Sequence, residues 1–134
     1  MKKYIFILLM FFLTACGKEN TFKGKEYLYQ TPSGHQISLG FDGTTNRYFG
    51  KGVNKYFGTY TLKENEISFG VPSSTMMVGN RRHMADEEKF LNTLTDIQSF
   101  ELTDDRLTLI TKGKEKIILT LKKYTYSKDN KYGK

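Results

Sequence analysis

One cysteine among 134 residues is the side chain best placed to do chemistry. Cys16 follows two small residues, Thr14 and Ala15, at the end of an apolar run that begins at Tyr4. A lone thiol excludes an internal disulfide framework and every multi-cysteine zinc or iron–sulfur site. Its surroundings, Leu-Thr-Ala-Cys-Gly, have the order of a bacterial lipobox, in which the thiol is acylated and the chain is cut before it. We expect cleavage between Ala15 and Cys16 and lipid on Cys16.

Residues 1–15 have the pattern of a lipoprotein signal peptide. Lys2 and Lys3 precede 12 mostly apolar residues, whereas a helix needs roughly 20 to cross the hydrocarbon core. Two or more acyl chains, at ~0.8 kcal/mol per buried methylene, give stable anchoring. The sequence therefore predicts a protein held on a membrane of the cell envelope by the lipid on Cys16, facing outside the cytoplasm. Gly17 after the anchor is compatible with an outer membrane in a diderm. The alternative is an ordinary secretory signal followed by a chance or buried cysteine.

The other residue types that could do chemistry form no recognisable site. His35 and His83 are far apart and are interpreted as two surface histidines without metal-ligand spacing. No serine lies in a Gly-x-Ser-x-Gly elbow, and no glycine run has phosphate-binding spacing. Asp86, Glu87 and Glu88 are ascribed to compensation of a helix dipole in a first turn. The sequence therefore predicts no catalytic residue, no metal site, no cofactor and no enzyme activity.

The formal net charge of +7 does not indicate nucleic-acid binding. Residues 122–134 hold five lysines and one aspartate, whereas residues 16–121 hold 14 basic and 13 acidic side chains. Phosphate binding requires a clustered positive face on a folded surface. We therefore expect no nucleic-acid partner. The basic tail, residues 123–134, is either a solvated terminus or a contact with anionic headgroups.

The elements that must carry these residues are mostly strands. Alternation from Ile37 to Phe41 ends at Asp42-Gly43, which favours a tight hairpin turn with positive φ at both positions. A second hairpin is predicted around residues 63–65, and three strands between residues 100 and 121 form a meander. One helical period, from His83 to Thr95, predicts an amphipathic helix packed on the sheet or in one end of it. A tether over residues 16–24 then leads into a single domain over residues 25–122.

Two short patterns carry a resemblance to a known family. The first is Asn-x-x-x-Gly-x-Tyr at Asn54, Gly58 and Tyr60, and the second is Ser-Thr-Met-Met, which includes Thr75, Met76 and Met77. Together with the alternation around them they resemble the META domain family, which includes the HslJ-like envelope proteins. The resemblance implies a mainly β protein with one helix (α+β), built as an antiparallel, incompletely closed, eight-strand-like β-barrel. It also implies links to heat shock and novobiocin tolerance.

The chain departs from the family pattern at three places. Val53 and Gly79 stand where many members carry a pair of cysteines, and the joint loss is what a disulfide between those two positions would lead us to expect. The usual Trp near the first strand is absent, with Tyr27 or Tyr29 in its place.

The function expected from these observations is that of a non-enzymatic, lipid-anchored envelope protein. It would serve maintenance or stress tolerance through contacts with envelope proteins or lipids, and no oligomeric state is specified. The alternative is a carrier that holds an acyl chain or a small apolar ligand inside the barrel. Its proposed lining is Ile37, Leu39, Phe41, Tyr60, Phe69, Leu107, Leu109 and Leu119. The same side chains could instead simply fill the interior.

Overall fold

The computed structural model describes residues 21–123, and the predictions for the signal peptide, for Ala15 and Cys16 and for most of the basic tail lie outside that range. The elements are β1 (Glu26–Gln30), β2 (Gln36–Phe41), β3 (Arg47–Lys51), β4 (Lys55–Lys63), β5 (Glu66–Phe69), β6 (Ser73–Ser74), α1 (Arg81–Leu94), β7 (Ile97–Leu102), β8 (Arg106–Thr111) and β9 (Lys116–Leu121). No helix within residues 21–123 combines the length and the hydropathy needed to cross a bilayer.

Eight of the strands form a closed antiparallel barrel, so the incomplete closure expected from the resemblance is wrong. Each strand pairs with the next around the ring β1-β2-β3-β4-β5-β7-β8-β9, and β9 returns to β1. The contact of β3 with β4 spans five residue pairs, from Arg47 with Thr59 to Lys51 with Lys55. The short β6 lies beside the first half of β4, because β5 pairs only with the second half. The mainly β class with one helix is confirmed.

The alternation of apolar and polar residues decides which side chains fill the barrel. Inward residues of the strands form one core with Phe22, Phe90 and Leu94. Phe22 closes one end, where its ring lies 4.3 Å from that of Phe41 and 5.2 Å from that of Phe100. Helix α1 closes the other end, where the ring of Phe90 stacks on Tyr29 at 5.2 Å. Because Phe22 is part of the core, the folded body begins before residue 25, the start predicted from the sequence.

Glycines opposite tyrosines make room for rings inside so small a barrel. Tyr48 faces Gly58 across β3 and β4, and Tyr56 faces Gly50 in the same pair of strands. A Cβ atom on Gly58 would lie 2.6 Å from Cζ of Tyr48, so the ring occupies the space that a side chain would take. The Gly58 of the sequence motif is therefore required by packing.

The tight turn expected at Asp42-Gly43 is corrected by the structure. The turn after β2 is a loop of residues 42–46, and Gly43 does not have positive φ. The Asp42 carboxylate instead accepts hydrogen bonds from Thr44 N–H at 3.2 Å and from the Thr45 hydroxyl at 2.6 Å. These local hydrogen bonds stabilise a loop that is wider than a two-residue turn. The hairpin predicted around residues 63–65 and the meander at the end of the domain are confirmed.

Candidate functional site

Two residues of the second sequence motif, Thr75 and Met77, meet the side chain of Asn54, the first residue of the other motif, just before β4. Its Oδ1 accepts hydrogen bonds from Met77 N–H at 2.6 Å and from the Thr75 hydroxyl at 3.0 Å. Thr75 Oγ1 also accepts from Lys55 N–H at 3.2 Å, and Lys55 O accepts from Thr75 N–H at 3.0 Å. Asn54 thus fixes the segment between β6 and α1 to the wall of the barrel.

A buried carboxylate extends this network into the helix. Glu87 is only 3% exposed, and its two carboxylate oxygens accept from Asn54 N–H at 3.0 and 3.3 Å. Asn54 Nδ2 donates to the same group at 3.4 Å. A buried carboxylate is tolerated only where donors replace its lost hydration, and Asn54 supplies them. We call Asn54, Thr75, Met77 and Glu87 the latch.

The latch has the chemistry of a positioning device. The Glu87 carboxylate accepts from amide donors of Asn54, and the Thr75 hydroxyl bonds to Asn54 and to the backbone of Lys55. The latch therefore holds together the start of β4, the segment after β6 and helix α1. The expected first-turn role of the acids is wrong, because α1 begins at Arg81 and its first turn holds no acid. Asn80 caps the helix instead, accepting from Arg82 N–H at 2.9 Å, as an N-cap side chain does.

The two histidines form a pair, which contradicts the expectation that they lie apart. The rings of His35 and His83 stack with centroids 4.4 Å apart and an angle of 10° between planes. Asp86 lies on the same side of the helix and accepts from Ser33 N–H at 3.1 Å. The Ser33 hydroxyl is the main cause that lowers the pKa of Asp86. Within residues 21–123 no group of three or more His, Cys, Asp or Glu side chains is placed to hold a metal ion.

Exposed apolar side chains collect on one side of the barrel. Six of the eight large hydrophobic residues exposed in the described chain lie on β3, the first half of β4 and the segment from β5 to α1, and the other two, Leu62 and Ile118, lie near the end of β4 and on β9. We call these six the apolar band: Phe49, Phe57, Val71, Met76, Met77 and Val78. Met76 is 96% exposed and Val78 is 92% exposed. Single exposed hydrophobic residues are common on protein surfaces, whereas a cluster of them is unusual.

Two grooves run along the apolar band and share Val71. One, of about 750 Å³, lies between Gly24-Lys25 and the Phe49–Phe57 pair. The other, of about 800 Å³, lies between the Met76–Val78 segment and helix α1. The latch forms part of the second groove through Asn54, Thr75 and Glu87. The apolar band therefore contains two grooves, and the hydrogen bonds of the latch fix the backbone of the segment that carries Met77.

The barrel interior is densely occupied. All eight side chains proposed as a carrier lining are at most 4% exposed, and their rings contact one another, as Phe41 does Tyr60 at 5.6 Å. Tyr56 donates a hydrogen bond to Ser38 O and Tyr48 donates to Gly70 O at 2.6 Å. Burial raises the pKa of Tyr48 to about 12. Packing of this kind favours the filled interior over the carrier.

Comparison with known proteins supports the resemblance drawn from these motifs. The sequence profile of the META domain matches residues 18–124. The chain belongs to the META domain family. The fold is similar to an NMR structure of a protein from Burkholderia xenovorans, with a TM-score of 0.60 and 19% identity over 75% of this chain and 83% of that one. A second NMR structure gives a TM-score of 0.52 and 19% identity over 72% of this chain and 88% of the other. No curated protein matches the chain significantly.

The positions at which this META domain lacks the paired cysteines are neighbours in space. A Cβ atom on Gly79 would lie 3.6 Å from Cβ of Val53. Disulfides join Cβ atoms about 3.5–4.5 Å apart. The geometry therefore fits a bridge between these positions in relatives that carry both cysteines, and here Val53 packs against the backbone of Gly79 instead.

Sequence reasoning missed the role of Glu87 in this META domain. Glu87, Phe90 and Leu94 have the spacing i, i+3 and i+7, which places all three on the buried face of α1. A carboxylate on an otherwise apolar helix face was the signal available. Reading the three consecutive acids as one dipole-compensating group concealed it.

Proposed function

We propose that the protein is a lipid-anchored component of the cell envelope that works without catalysis, through contacts of its outer surface with other envelope molecules. Envelope maintenance or stress tolerance is the role that the family resemblance favours. The apolar band is the observation that carries this proposal, since it offers binding energy outside the barrel rather than within it.

The arrangement of the apolar band supports a contact function. Burial of apolar surface contributes roughly 25 cal/mol per Å², so six exposed apolar side chains on one face favour association with an apolar surface. The latch holds Met77 by its backbone N–H while its side chain stays exposed. A rigid backbone reduces the conformational entropy lost on binding. The structure around the apolar band therefore suits a preformed contact surface.

The anchor is supported by the sequence around Cys16. The apolar run, the small residues at 14 and 15 and the lone thiol at the required position agree with signal cleavage and acylation. Once acylated, the body would stay within a few nanometres of the bilayer, where its surface meets envelope lipids and proteins at high effective concentration.

Metabolic labelling tests the anchor directly. Cells expressing the full chain are fed a clickable fatty acid, and the protein is expected to carry the label. The Cys16→Ala variant is expected to lose it, whereas Gly17→Ala, which keeps the thiol, is the matched control and should retain it. Label that persists in Cys16→Ala would remove the lipoprotein proposal.

Site-specific photocrosslinking in intact cells tests the contact surface. A photoreactive residue at Met76 is expected to give adducts with lipid or protein. The same residue at Ile118, which is also exposed and lies on β9 across the barrel from β4, is expected to give none. Equal adducts from both positions would contradict a contact role for the apolar band.

A further inference from the structure

The outer face of the β3–β4 hairpin carries positive charge around the apolar band. Between Asp42 and Glu64 the chain holds four basic side chains and no acidic one. Arg47 and Lys51 alternate with Phe49 along β3, and Lys55 precedes Phe57 by two residues on β4, so these side chains share one face. Basic residues flanking exposed apolar ones are typical of surfaces that meet a membrane.

Two of these lysines face each other without compensation. Lys51 and Lys55 are direct partners in the β3–β4 register, and like charges placed opposite one another destabilise a sheet. In the described chain the salt bridge observed joins Lys122 to Glu26, and Arg47, Lys51 and Lys55 form none. The pair is therefore complementary to an anionic surface outside the molecule.

The anchor brings such a surface within reach of this face. Thr21 lies five positions after Cys16, and an extended chain spans at most ~3.6 Å per position, or ~18 Å here. Gly24 and Lys25, which follow, line the same groove as Phe49 and Phe57. The groove next to the anchored end thus contains Phe49, Phe57 and Arg47. Lys51 and Lys55 lie on the same face of β3 and β4, farther along the two strands toward α1.

We infer that the apolar band lies against the anionic phospholipid surface of the bilayer that holds the anchor, with Phe49 and Phe57 at the interface and Lys51 and Lys55 on the phosphate groups. Lysine side chains close to an anionic leaflet are attracted to its phosphate groups. The inference rests on the proposed function, because it requires acylation at Cys16. A protein partner is the competing occupant, but the opposed lysines and the short tether both favour lipid.

Fluorescence quenching tests the inference, since the chain contains no Trp. Phe57→Trp places a single reporter at a position that is 62% exposed, and Ile118→Trp places one at a position that is 52% exposed on the opposite strand. Each full-length acylated protein is purified from membranes and reconstituted in vesicles of phosphatidylethanolamine and phosphatidylglycerol with brominated acyl chains. We expect loss of emission and a blue shift for Trp at 57 and neither change for Trp at 118.

Charge reversal provides the second readout in the same vesicles. Lys51→Glu with Lys55→Glu, in the Phe57→Trp protein, is expected to reduce the quenching. The control pair Lys112→Glu with Lys116→Glu, remote from the apolar band, should leave it unchanged. Equal quenching at both reporters, or quenching that survives reversal of Lys51 and Lys55, would overturn the inference.

Mass spectrometry of the same samples separates the two levels of failure. Acylated protein whose Trp at 57 is not quenched overturns the inference alone, and a protein partner then becomes the occupant to seek. Protein without acyl chains overturns the proposed function, and the inference with it.

Discussion

Gly58→Ala should destabilise the barrel because the space for its methyl group is already taken. A Cβ atom on Gly58 would lie 2.5, 2.6 and 2.8 Å from Oη, Cζ and Cε1 of Tyr48, whereas carbon atoms in contact prefer about 3.5–4.0 Å. The ring cannot easily move, since its hydroxyl donates to Gly70 O at 2.6 Å and the ring packs against that of Phe69 in a T-shaped arrangement, with centroids 5.2 Å apart.

The expected magnitude follows from opposing contributions. Overpacking of this kind costs about 1–3 kcal/mol, and displacement of Tyr48 from Gly70 would lose about 0.5–1.5 kcal/mol more. The reduced freedom of the unfolded chain offsets about 0.4–1 kcal/mol. We therefore expect a net loss of about 2 kcal/mol for Gly58→Ala, or a fall in Tm of roughly 8–16 °C at about 4–8 °C per kcal/mol.

Urea unfolding followed by circular dichroism measures this loss. Gly113→Ala is the matched control, because its nearest neighbour would be Thr111 Oγ1 at 3.8 Å, an ordinary contact, and its stability should stay equal or rise slightly. In a Tyr48→Leu background the cost of Gly58→Ala should shrink, since the ring is gone. The reasoning is refuted if both alanines cost the same or if Tyr48→Leu leaves the cost of Gly58→Ala unchanged.

Three further outcomes are expected. Val53→Cys with Gly79→Cys should form a disulfide closing a loop of about 27 residues, and oxidation should raise the unfolding free energy by up to about 3.5 kcal/mol; equal Tm with and without reductant would contradict the geometry. Glu87→Ala should lower the unfolding free energy by about 2–4 kcal/mol, because Asn54 N–H loses its acceptor in a buried site. Limited proteolysis of this variant should cut within residues 71–80. Unchanged resistance to the protease would show that the latch does not hold this segment. Burial raises the pKa of Tyr27 to about 12, so on raising the pH the unfolded chain loses the Tyr27 hydroxyl proton before the folded chain does. The contribution of Tyr27 to the unfolding free energy is therefore complete below about pH 10 and is lost as the pH rises through about 12. Tyr27→Phe, which removes a buried hydroxyl without a hydrogen-bond partner, should make the unfolding free energy less dependent on pH in that range; an unchanged profile would contradict the assignment.

The sequence predicts most strands because each carries one apolar face. Ile37, Leu39 and Phe41 alternate with smaller or polar residues, and their inward placement follows from the period of two. The β3 strand escaped prediction because Tyr48 is its one large inward residue and Gly50 follows. With only one large side chain at its inward positions, β3 shows no apolar alternation in the sequence. The pairing of β3 with β4, which closes the barrel, could therefore not be predicted from that pattern.

The candidate site was harder to predict than the fold. Its parts come from the start of β4, the segment after β6 and the middle of α1, and only tertiary packing brings Asn54 beside Glu87. The same holds for His35 and His83, which lie 48 positions apart in the chain yet stack at 4.4 Å. Composition and spacing report neither contact, because both depend on the angle at which α1 crosses the end of the barrel.

Strand β4 shows how one short motif can specify an architecture and leave function elsewhere. Asn54 just before it and Gly58 within it have fixed structural duties, the first in the latch and the second beneath the ring of Tyr48. Tyr60 is buried against Phe41, so hydrogen bonding accounts for Asn54 and packing accounts for Gly58 and Tyr60. Phe57 lies between them and points outward, where no packing requirement of the barrel explains a large exposed ring. Since the inward residues are occupied by the fold itself, what distinguishes the activity of this chain is expected at outward positions such as Phe57.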